Sequence, residues 1–261
     1  KKKKTQYIAC ITGNILSKCV AMKKYSLIII SSIFVLSACQ ELDSSEEEIV
    51  DTLELSEYLN IPASAYNYSD IDVPDFFDLQ ANTEQDNTPN DNAVTDWGAT
   101  LGRVLFYDKI LSSNNTISCS SCHLQESGFS DPDQFSAGFE GGLTGRNSMG
   151  ISNAKYYENG HFFWDERAST LEEQVLMPIQ DEVEMGLTLT ELFSKVGQQP
   201  YYPVLFEQVY GDNEVTPDRI SKALAQFVRS IVSYQSKYDV GRAQVNNPDH
   251  DFPNYSDFFF F

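Results

Sequence analysis

Apolar residues recur at helical spacing in five stretches of the chain, and the first and last of these are the clearest. In the first stretch, Thr95 and Asp96 form an N-cap pair, and the helix is expected to end near Tyr107 and Asp108. Its apolar positions are Trp97, Leu101, Val104 and Leu105. In the last stretch, Thr216 is the cap and Pro217 takes the first helical position. Its apolar positions are Ile220, Leu224, Phe227, Ile231 and Tyr234.

Three shorter helices are predicted between these two. Thr170-Leu171-Glu172-Glu173 is a capping box, and its helix should run toward Met177 and stop before Pro178. Thr188-Leu189-Thr190-Glu191 is a second capping box, with Gly197 as the stop. The third helix ends at Gly211 and has its apolar positions at Tyr202, Phe206, Val209 and Tyr210. No stretch alternates with strand period to a comparable degree, so the predicted fold class is mainly α.

Residues 22–39 are typical of a targeting segment rather than of a folded domain. Met22-Lys23-Lys24 is a basic region and the apolar run Leu27–Leu36 is a short hydrophobic region, so residues 22–39 are interpreted as a signal peptide. Leu36-Ser37-Ala38-Cys39 resembles the lipobox of bacterial lipoproteins, in which the cysteine, here Cys39, carries the lipid. Residues 1–21 precede a start methionine and are interpreted as upstream sequence translated in error. A transmembrane anchor is the alternative, although the apolar run is shorter than the roughly 20 residues that a span needs.

This assignment predicts a protein of the bacterial cell envelope, either periplasmic or anchored to the outer membrane, that touches the membrane only through an N-terminal lipid. Residues 40–92 are acidic and have no sustained period, so they are interpreted as a tether between the lipid and a domain at 93–243. Pieces such as Tyr66–Phe77 could still pack against that domain. Residues 244–261 are interpreted as a truncated linker.

Charge is divided unevenly along the chain. Seven of the 18 basic residues lie within residues 1–24, and all 38 acidic residues lie at or after Glu41, which leaves 11 basic residues in the remainder. This imbalance argues against nucleic acid and anionic lipid as partners. It is compatible with a basic electron-donor protein, although a solvated acidic surface is the commoner explanation.

The strongest chemical signal is Cys119-Ser120-Ser121-Cys122-His123. It matches the C-x-x-C-H sequence in which two thiols add to the haem vinyl groups and the histidine becomes an axial iron ligand. Two thiols three positions apart share one face of a helical turn, so the spacing suits this attachment. A zinc site is an alternative, but the other cysteines lie far upstream and His161 and His250 are isolated. A Cys119–Cys122 disulfide is the other alternative, and it would leave His123 without a role.

A long stretch rich in glycine, from Gly128 to Gly150, has little periodicity and is predicted to be a loop. Loops of this length inside compact domains are usually functional. We expect this one to cover one face of the haem.

Over roughly Ala93–Asp239 the chain resembles the bacterial di-haem cytochrome c peroxidase family, including its relatives in methylamine utilisation. Besides the haem motif, the matching pieces are Leu101-Gly102-Arg103-Val104-Leu105-Phe106-Tyr107-Asp108, Gly145-Arg146-Asn147-Ser148, Phe162-Phe163-Trp164-Asp165-Glu166-Arg167, Leu171-Glu172-Glu173-Gln174 and Val183-Glu184-Met185-Gly186. The resemblance implies a cytochrome c-like helical haem domain with long irregular loops, equivalent to the family's N-terminal, peroxidatic domain.

The same resemblance implies roles for individual residues. His123 corresponds to the proximal iron ligand, with Cys119 and Cys122 as the thioether pair. Trp164 falls where the family places a tryptophan between its two haems, which implies electron transfer, with core packing as the alternative. Asn147 matches a side-chain ligand of a calcium ion, with a loop-capping amide as the alternative.

Gln174 and Glu184 match the polar residues of the family's distal pocket. Cleaving the O–O bond of peroxide needs a base that takes a proton from one oxygen and returns it to the other, because hydroxide leaves poorly. A carboxylate desolvated beside the haem could do this, since burial raises its pKa. Glu184 is the candidate, with Gln174 positioning the peroxide, and this assignment depends on the family resemblance.

The chain departs from the family at two points. Many members have a distal histidine ligand 16 residues after the proximal one, where this chain has Phe139, so the iron is predicted to be open on its distal side at rest. His161 is the nearest histidine along the sequence, and we expect it to lie at the surface or behind the site. Family members also have a second C-x-x-C-H motif, which does not recur after His123. If the chain is truncated in this way, its peroxidase activity is expected to be impaired, or the second haem is expected to come from another chain.

The leading hypothesis is a peroxidase that reduces hydrogen peroxide with electrons from a small donor protein such as a cytochrome c. The rival is a mono-haem electron-transfer cytochrome, in which a methionine sulfur fills the sixth iron site. The methionines available for this are Met149, Met177 and Met185. A third possibility is a related enzyme that oxidises tryptophan side chains of a partner protein. A homodimer is also left open.

Overall fold

A computed structural model of the chain describes residues 55–73 and 84–242. The leader, the lipobox cysteine Cys39 and the linker at 244–261 lie outside these described residues. Seven α-helices have their bounds within the described ranges: α1 (Asp96–Tyr107), α2 (Leu171–Gln174), α3 (Met177–Gln180), α4 (Leu189–Gly197), α5 (Tyr201–Tyr210), α6 (Pro217–Ser230) and α7 (Lys237–Arg242). In these ranges β-structure is limited to three isolated antiparallel bridges, so the mainly α prediction is confirmed.

Helix α1 begins and ends where the sequence predicts. The Thr95 side chain accepts a hydrogen bond from the backbone N–H of Gly98, which satisfies one of the free donors of the first turn. The helix ends when Asp108 adopts an extended conformation. Asp108 Oδ1 then accepts the N–H of Ile110 at 3.0 Å and starts a 3-10 turn.

Helices α1 and α6 cross at very close range and form the centre of the core. A Cβ atom on Gly102 of α1 would lie only 2.0 Å from the carbonyl oxygen of Ala223 on α6, so only glycine allows the two backbones to approach this closely. Leu101 and Leu105 of α1 are fully buried, as is Ile220 of α6. The turn at Cys119–Ser121 packs against α1, one of the two helices of this crossing.

The predicted extension of the last helix through Ile231 and Tyr234 is wrong. Helix α6 ends at Ser230, because Ile231 leaves the helical conformation with a ψ of 75°. Its carbonyl oxygen instead accepts the N–H of Asn153, and the Asn153 side chain accepts the N–H of Ser233 at 2.7 Å. A loop distant in sequence thus replaces the helical hydrogen bonds, and α7 follows without having been predicted.

The three middle helices were placed correctly, with two corrections of detail. The box at Thr188 is complete, and α5 ends at Gly211 in the left-handed conformation. At Thr170, however, the Glu173 carboxylate accepts the N–H of Ser169 rather than that of Thr170. Helix α2 stops at Gln174, and Pro178 lies in the first turn of a separate short helix, α3, where proline is favoured.

The described parts of the predicted tether are packed against the helical domain, so that interpretation is corrected for these stretches. Leu55 is buried in the core. Asp96 Oδ1 accepts the N–H groups of Tyr68 and Ser69 at 2.9 Å. Asn92 donates to Glu172 at 2.6 Å in a buried network. The composition of this stretch is typical of a solvated spacer, but its polar residues form hydrogen bonds with partners more than 25 residues away in the sequence. No helix in the described ranges is long and apolar enough to cross a bilayer.

Candidate haem site

The C-x-x-C-H segment forms a single tight turn. Residues Cys119–Ser121 are a 3-10 turn, and the N–H of Ser118 donates to Ser121 Oγ at 3.0 Å at its start. The carbonyl oxygen of Cys119 accepts the N–H of Cys122 at 3.2 Å and that of His123 at 3.0 Å. In a turn with three residues per repeat, side chains three positions apart point the same way, so the two thiols face one side.

The imidazole of His123 is held by one backbone carbonyl. His123 Nδ1 lies 2.9 Å from the carbonyl oxygen of Phe129, and Nδ1–H donates to it in the neutral tautomer. Burial lowers the pKa of His123, against the opposing effect of the Phe129 and Met149 carbonyls. A neutral ring that donates through Nδ1 keeps the Nε2 lone pair available for a metal.

Phe129, whose carbonyl contacts the candidate ligand His123, is a position that the sequence did not indicate. Its φ is +59°, which is unusual for a large side chain, and the preceding Gly128 is also left-handed at +68°. This double left-handed turn aims the Phe129 carbonyl at His123. The one local indication of this turn in the sequence is Gly128, because glycine often adopts a positive φ. Nothing in the sequence indicates that Phe129 does so as well.

The motif lines a cavity of about 740 Å³. Cys119, Cys122 and His123 all contribute to its wall, and apolar side chains such as Phe106 and Val175 complete it. A volume in the range of cofactor pockets, an apolar lining and a histidine that follows two cysteines suit an iron porphyrin. The residues present therefore fit a covalently attached haem.

The two alternatives to haem attachment receive no support from the described residues. Cys119 and Cys122 are free thiols rather than a disulfide. Burial raises the pKa of the Cys119 thiol to about 12, with a further contribution from the neighbouring Cys122. Within 55–73 and 84–242 there is no group of three or more His, Cys, Asp or Glu side chains that could hold a metal ion, as zinc would require.

Gln174 and Glu184 both line this cavity. Gln174 is the last residue of α2, and its carboxamide makes no hydrogen bond within the described part of the chain. Burial raises the pKa of Glu184, the negative charge of Asp181 raises it further, and Arg167 opposes both effects. The charge of Glu184 in turn contributes to the raised pKa of both thiols, so its carboxylate acts electrostatically on the attachment segment.

Trp164 is presented at the rim of the cavity on a strained loop. The loop closes where the N–H of Phe162 donates to the carbonyl of Ala168 at 2.9 Å. Within it, Phe163 and Glu166 both have positive φ, at 74° and 53°. Two such non-glycine residues each cost about 1–3 kcal/mol, which is typical of functional sites. Trp164 is 60% exposed, so the core-packing alternative is excluded for this side chain.

Charged groups stabilise the same loop from the outside. Asp165 forms ion pairs of 2.8 Å with both Arg146 and Arg167. The hydrogen bonds from Arg167 and Arg146 lower the pKa of Asp165 to about 2. The Arg167 guanidinium also stacks 3.5 Å from the centre of the Phe163 ring. These contacts compensate part of the backbone strain.

Asn147 acts as a loop-capping amide. Its Nδ2 donates to the carbonyl oxygens of Asp131 at 3.1 Å and Asp133 at 2.7 Å. Both partners are acceptors, so the orientation of the amide is fixed by chemistry. The backbone carbonyl of Asn147 also accepts the Trp164 indole N–H at 2.9 Å. Only Oδ1 is left to bind a cation, and no acidic cluster surrounds it in the described ranges.

The remaining candidate iron ligands are distributed unevenly. Phe139 does not line the cavity, and its ring packs against Gly186, where a Cβ would lie 2.5 Å away. Met149, Met185 and His161 do line it, whereas Met177 does not. Met185 is buried in the hydrophobic core. The Met149 carbonyl interacts with the His123 ring, which places this residue beside the proximal ligand.

Comparison with known proteins gives relatives of which this chain covers only a part. The chain is 38% identical over 141 residues to a cytochrome c551 peroxidase of Nitrosomonas europaea, covering 54% of this chain and 42% of the relative. It is 34% identical over 151 residues to the methylamine utilization protein MauG of Methylophilus methylotrophus, covering 58% and 44%. The chain thus spans a little under half the length of these curated relatives.

A solved structure shares the fold. It is that of a MauG-like protein associated with microbial copper homeostasis, which matches with a TM-score of 0.56 and 31% identity over 73% of this chain and 51% of that one. The family model for di-haem cytochrome c peroxidase matches residues 97–245, more than half of the chain. That range contains the Cys119–His123 motif, the loop that carries Trp164, and Glu184. The resemblance is therefore confirmed, and the chain belongs to the di-haem cytochrome c peroxidase family.

Proposed function

We propose that this chain forms the peroxide-reducing haem domain of a bacterial envelope peroxidase, which converts hydrogen peroxide, two protons and two electrons into two waters. The observation that carries the proposal is Glu184, a carboxylate with a raised pKa in the same cavity as the Cys119–His123 motif. A purely electron-carrying cytochrome has no use for a proton-transferring group beside its haem.

The haem would be held by thioether bonds to Cys119 and Cys122 and by His123 Nε2. When bound, it supplies the iron that accepts a peroxide oxygen and the electrons that cleave the O–O bond. The hydrogen bond from His123 Nδ1–H to Phe129 fixes the ring orientation.

Glu184 supplies the proton chemistry. Ionised Glu184 accepts the proton from one oxygen of hydrogen peroxide and returns it to the other, which leaves as water rather than hydroxide. Its raised pKa makes it a better base than an exposed carboxylate and allows it to hold the proton between the two steps. Gln174, with its carboxamide free of other hydrogen bonds in the described chain, orients the peroxide.

Electrons would enter at Trp164. Its exposure at the cavity rim, fixed by the hydrogen bond to Asn147, supports this role. The donor is a small periplasmic protein such as a cytochrome c, with the second haem typical of the family between the two. The prevalence of acidic residues is compatible with a basic donor.

The remaining expectations are part of the same proposal. They are a lipid at Cys39, attachment to the cell envelope, a calcium ion bound through Asn147 Oδ1, and an open distal iron site. An enzyme that oxidises tryptophan side chains of a partner protein would use the same site residues. It would differ from the peroxidase in taking its electrons from that protein substrate instead of from a soluble donor.

The test uses the full chain, matured in a host that attaches haem c. Peroxide-dependent oxidation of reduced cytochrome c is measured for the natural protein, Glu184→Gln and Glu182→Gln. Glu182 is the matched control, because it is an exposed carboxylate in the same turn that does not line the cavity. We expect Glu184→Gln to lower kcat/KM for peroxide by about 100-fold or more at unchanged haem content, and Glu182→Gln to match the natural protein.

Two results would refute the peroxidase. One is that the fully haem-loaded protein leaves peroxide intact even when a protein that carries the family's second haem is added. The other is a Glu184→Gln variant with undiminished activity. A sulfur-to-iron absorption band in the oxidised protein, with no peroxide consumption, would establish the electron-transfer cytochrome instead.

A further inference from the structure

Glu184 lies in a turn whose backbone N–H groups are bonded by the side chain of Asp181. Asp181 Oδ1 accepts the N–H of Glu184 itself at 3.1 Å and that of Val183 at 2.8 Å. The backbone carbonyl of Asp181 accepts the N–H of Gly186 at 2.9 Å and closes the turn. One aspartate thus satisfies the backbone on both sides of Glu184.

The same turn is held from the outside by the loop around Phe139. The N–H of Phe139 donates to the carbonyl of Glu184 at 3.0 Å, so both backbone groups of Glu184 are bonded. Gly138 lies so close that a Cβ there would be 1.7 Å from the carbonyl oxygen of Val183. The Phe139 carbonyl is in turn held by Asn114 Nδ2 at 2.7 Å. The backbone of Glu184 therefore has little freedom to move.

We propose that Asp181 is a positioning residue for the proton-transferring carboxylate Glu184, acting through this turn and through its own negative charge. The inference rests on the proposed function for its catalytic meaning, and it goes further by naming the group that controls the base. Asp181 itself lines the cavity, and its Oδ1 is bonded to the backbone N–H groups of Val183 and Glu184.

Several charged or titratable groups face Glu184, and they act in opposite directions. Burial raises its pKa, Asp181 adds to that, and Arg167 opposes them from the tryptophan loop. Cys119 and Cys122 lie on the attachment side and become uncharged thioethers once haem is bound. Asp181 is thus the one anionic side chain that raises the pKa of Glu184 in this part of the chain, and its removal should lower that pKa.

Two substitutions separate the roles of position and charge. Asp181→Asn keeps an oxygen that can accept both N–H groups but loses the charge, whereas Asp181→Ala loses both. Glu182→Gln removes a charge from the same exposed turn without touching these hydrogen bonds. The haem-loaded full chain is used for each variant, with haem content and thermal unfolding measured first.

The first readout does not need turnover. The protonation of Glu184 is followed by its infrared carboxyl stretch as pH is varied, and the band is assigned by its loss in Glu184→Gln. We expect the titration to move to lower pH in Asp181→Asn and to remain in place in Glu182→Gln. An unchanged titration in Asp181→Asn would overturn the charge role.

The second readout is the pH profile of peroxide reduction. A base must be ionised to accept a proton, so activity declines as pH falls through the pKa of Glu184, and the acid limb should move to lower pH in Asp181→Asn. Asp181→Ala should lose about tenfold in kcat/KM at pH 7 because the carboxylate is no longer aimed, and Asp181→Asn should restore most of it. If Asp181→Ala matches Glu182→Gln, the positioning role is refuted. If the titration of the Glu184 carboxyl band moves to lower pH in Asp181→Asn but the protein does not reduce peroxide, the proposed function is refuted and the effect of Asp181 on Glu184 stands.

Discussion

The indole N–H of Trp164 donates a hydrogen bond of 2.9 Å to the backbone carbonyl of Asn147. The side chain of Asn147 simultaneously binds the carbonyls of Asp131 and Asp133, so an exposed tryptophan is fixed to a loop that is itself fixed. An exposed aromatic ring with a single defined orientation is suited to electron transfer, because the distance and angle to its partners do not fluctuate widely.

Replacing Trp164 with phenylalanine should separate electron entry from haem binding. The variant keeps an aromatic ring on the strained loop, but it loses both the N–H donor and the readily oxidised indole. We expect the rate of donor-dependent peroxide reduction to fall about tenfold or more, with haem content unchanged. Tyr66→Phe, at another exposed aromatic residue, serves as the control and should behave like the natural protein. Equal donor-dependent rates in the two variants would exclude Trp164 from the electron route.

The attachment motif predicts the behaviour of individual cysteine variants. Cys119→Ser or Cys122→Ser should leave a single thioether, and the double variant should release all haem in denaturant, because only the His123 bond remains. Cys39→Ser is the control, since that cysteine is assigned to lipid and not to haem. Haem staining of denatured protein and intact mass are the measurements. Retention of covalent haem in the double variant would be incompatible with this site.

The resting iron should be open on its distal side. The ring of Phe139 packs against Gly186 and does not line the cavity, so we expect a side chain at this position not to reach a haem iron bound there. We expect the oxidised protein to give the electronic and EPR spectra of high-spin haem, and Phe139→His to remain high-spin with Phe139→Leu as its control. A wholly low-spin, six-coordinate spectrum of the natural protein would contradict this expectation.

A buried ion pair should make stability depend on acid pH. Arg229 of α6 forms a bidentate bridge to Glu172 of α2, at 2.5 Å and 3.1 Å, and its side chain is only 1% exposed. Burial on its own would raise the pKa of Glu172, but the hydrogen bonds from Arg229 and Asn92 outweigh it, and the net shift is downward. A lowered folded-state pKa gives stability that is present above the unfolded value of 4.5 and is lost as pH falls through the lower folded value.

Glu172→Gln tests this pair. It leaves the buried Arg229 charge without its partner, so the free energy of unfolding at pH 7 should fall by about 3 kcal/mol. The dependence of stability on pH below 4.5 should also flatten, because the group that titrates there is gone. The exposed pair between Lys222 and Asp218 provides the control, and Asp218→Asn should change stability by about 0.5 kcal/mol or less. Equal losses in both variants, measured by chemical denaturation, would show that the buried pair has no special role.

The close crossing of α1 and α6 predicts an intolerant glycine. Gly102→Ala would place a methyl group against the Ala223 carbonyl, which is backbone and cannot rotate away, so the helices must separate at a cost of about 1–3 kcal/mol. Gly197→Ala is the matched control, since the nearest atom to its new Cβ is 3.8 Å away, and it should be neutral or stabilising. Thermal unfolding of the two variants is the measurement, and a neutral Gly102→Ala would show that the crossing can relax.

The sequence by itself determined the features that depend on near neighbours along the chain. Thr95, Thr188 and Thr216 mark helix starts because a cap bonds to an N–H group two or three residues away. Gly211 marks a helix end because the left-handed conformation is a property of one residue. The Cys119–His123 motif was equally local, since both thiols and the imidazole belong to one turn.

Only the tertiary structure decided the features that join distant segments. Helix α6 ends at Ser230, and the carbonyl of the next residue, Ile231, accepts the N–H of Asn153. The spacing of apolar residues along a helix cannot predict a hydrogen-bond partner that is 78 residues away in the sequence. Asn147 caps a loop through the carbonyls of Asp131 and Asp133, and the Phe139 N–H donates to the carbonyl of Glu184. Hydrogen bonds between segments this far apart leave no mark in composition or periodicity. Packing brings these groups together, and the burial that results shifts the pKa of Glu184 and gives the cavity its chemistry.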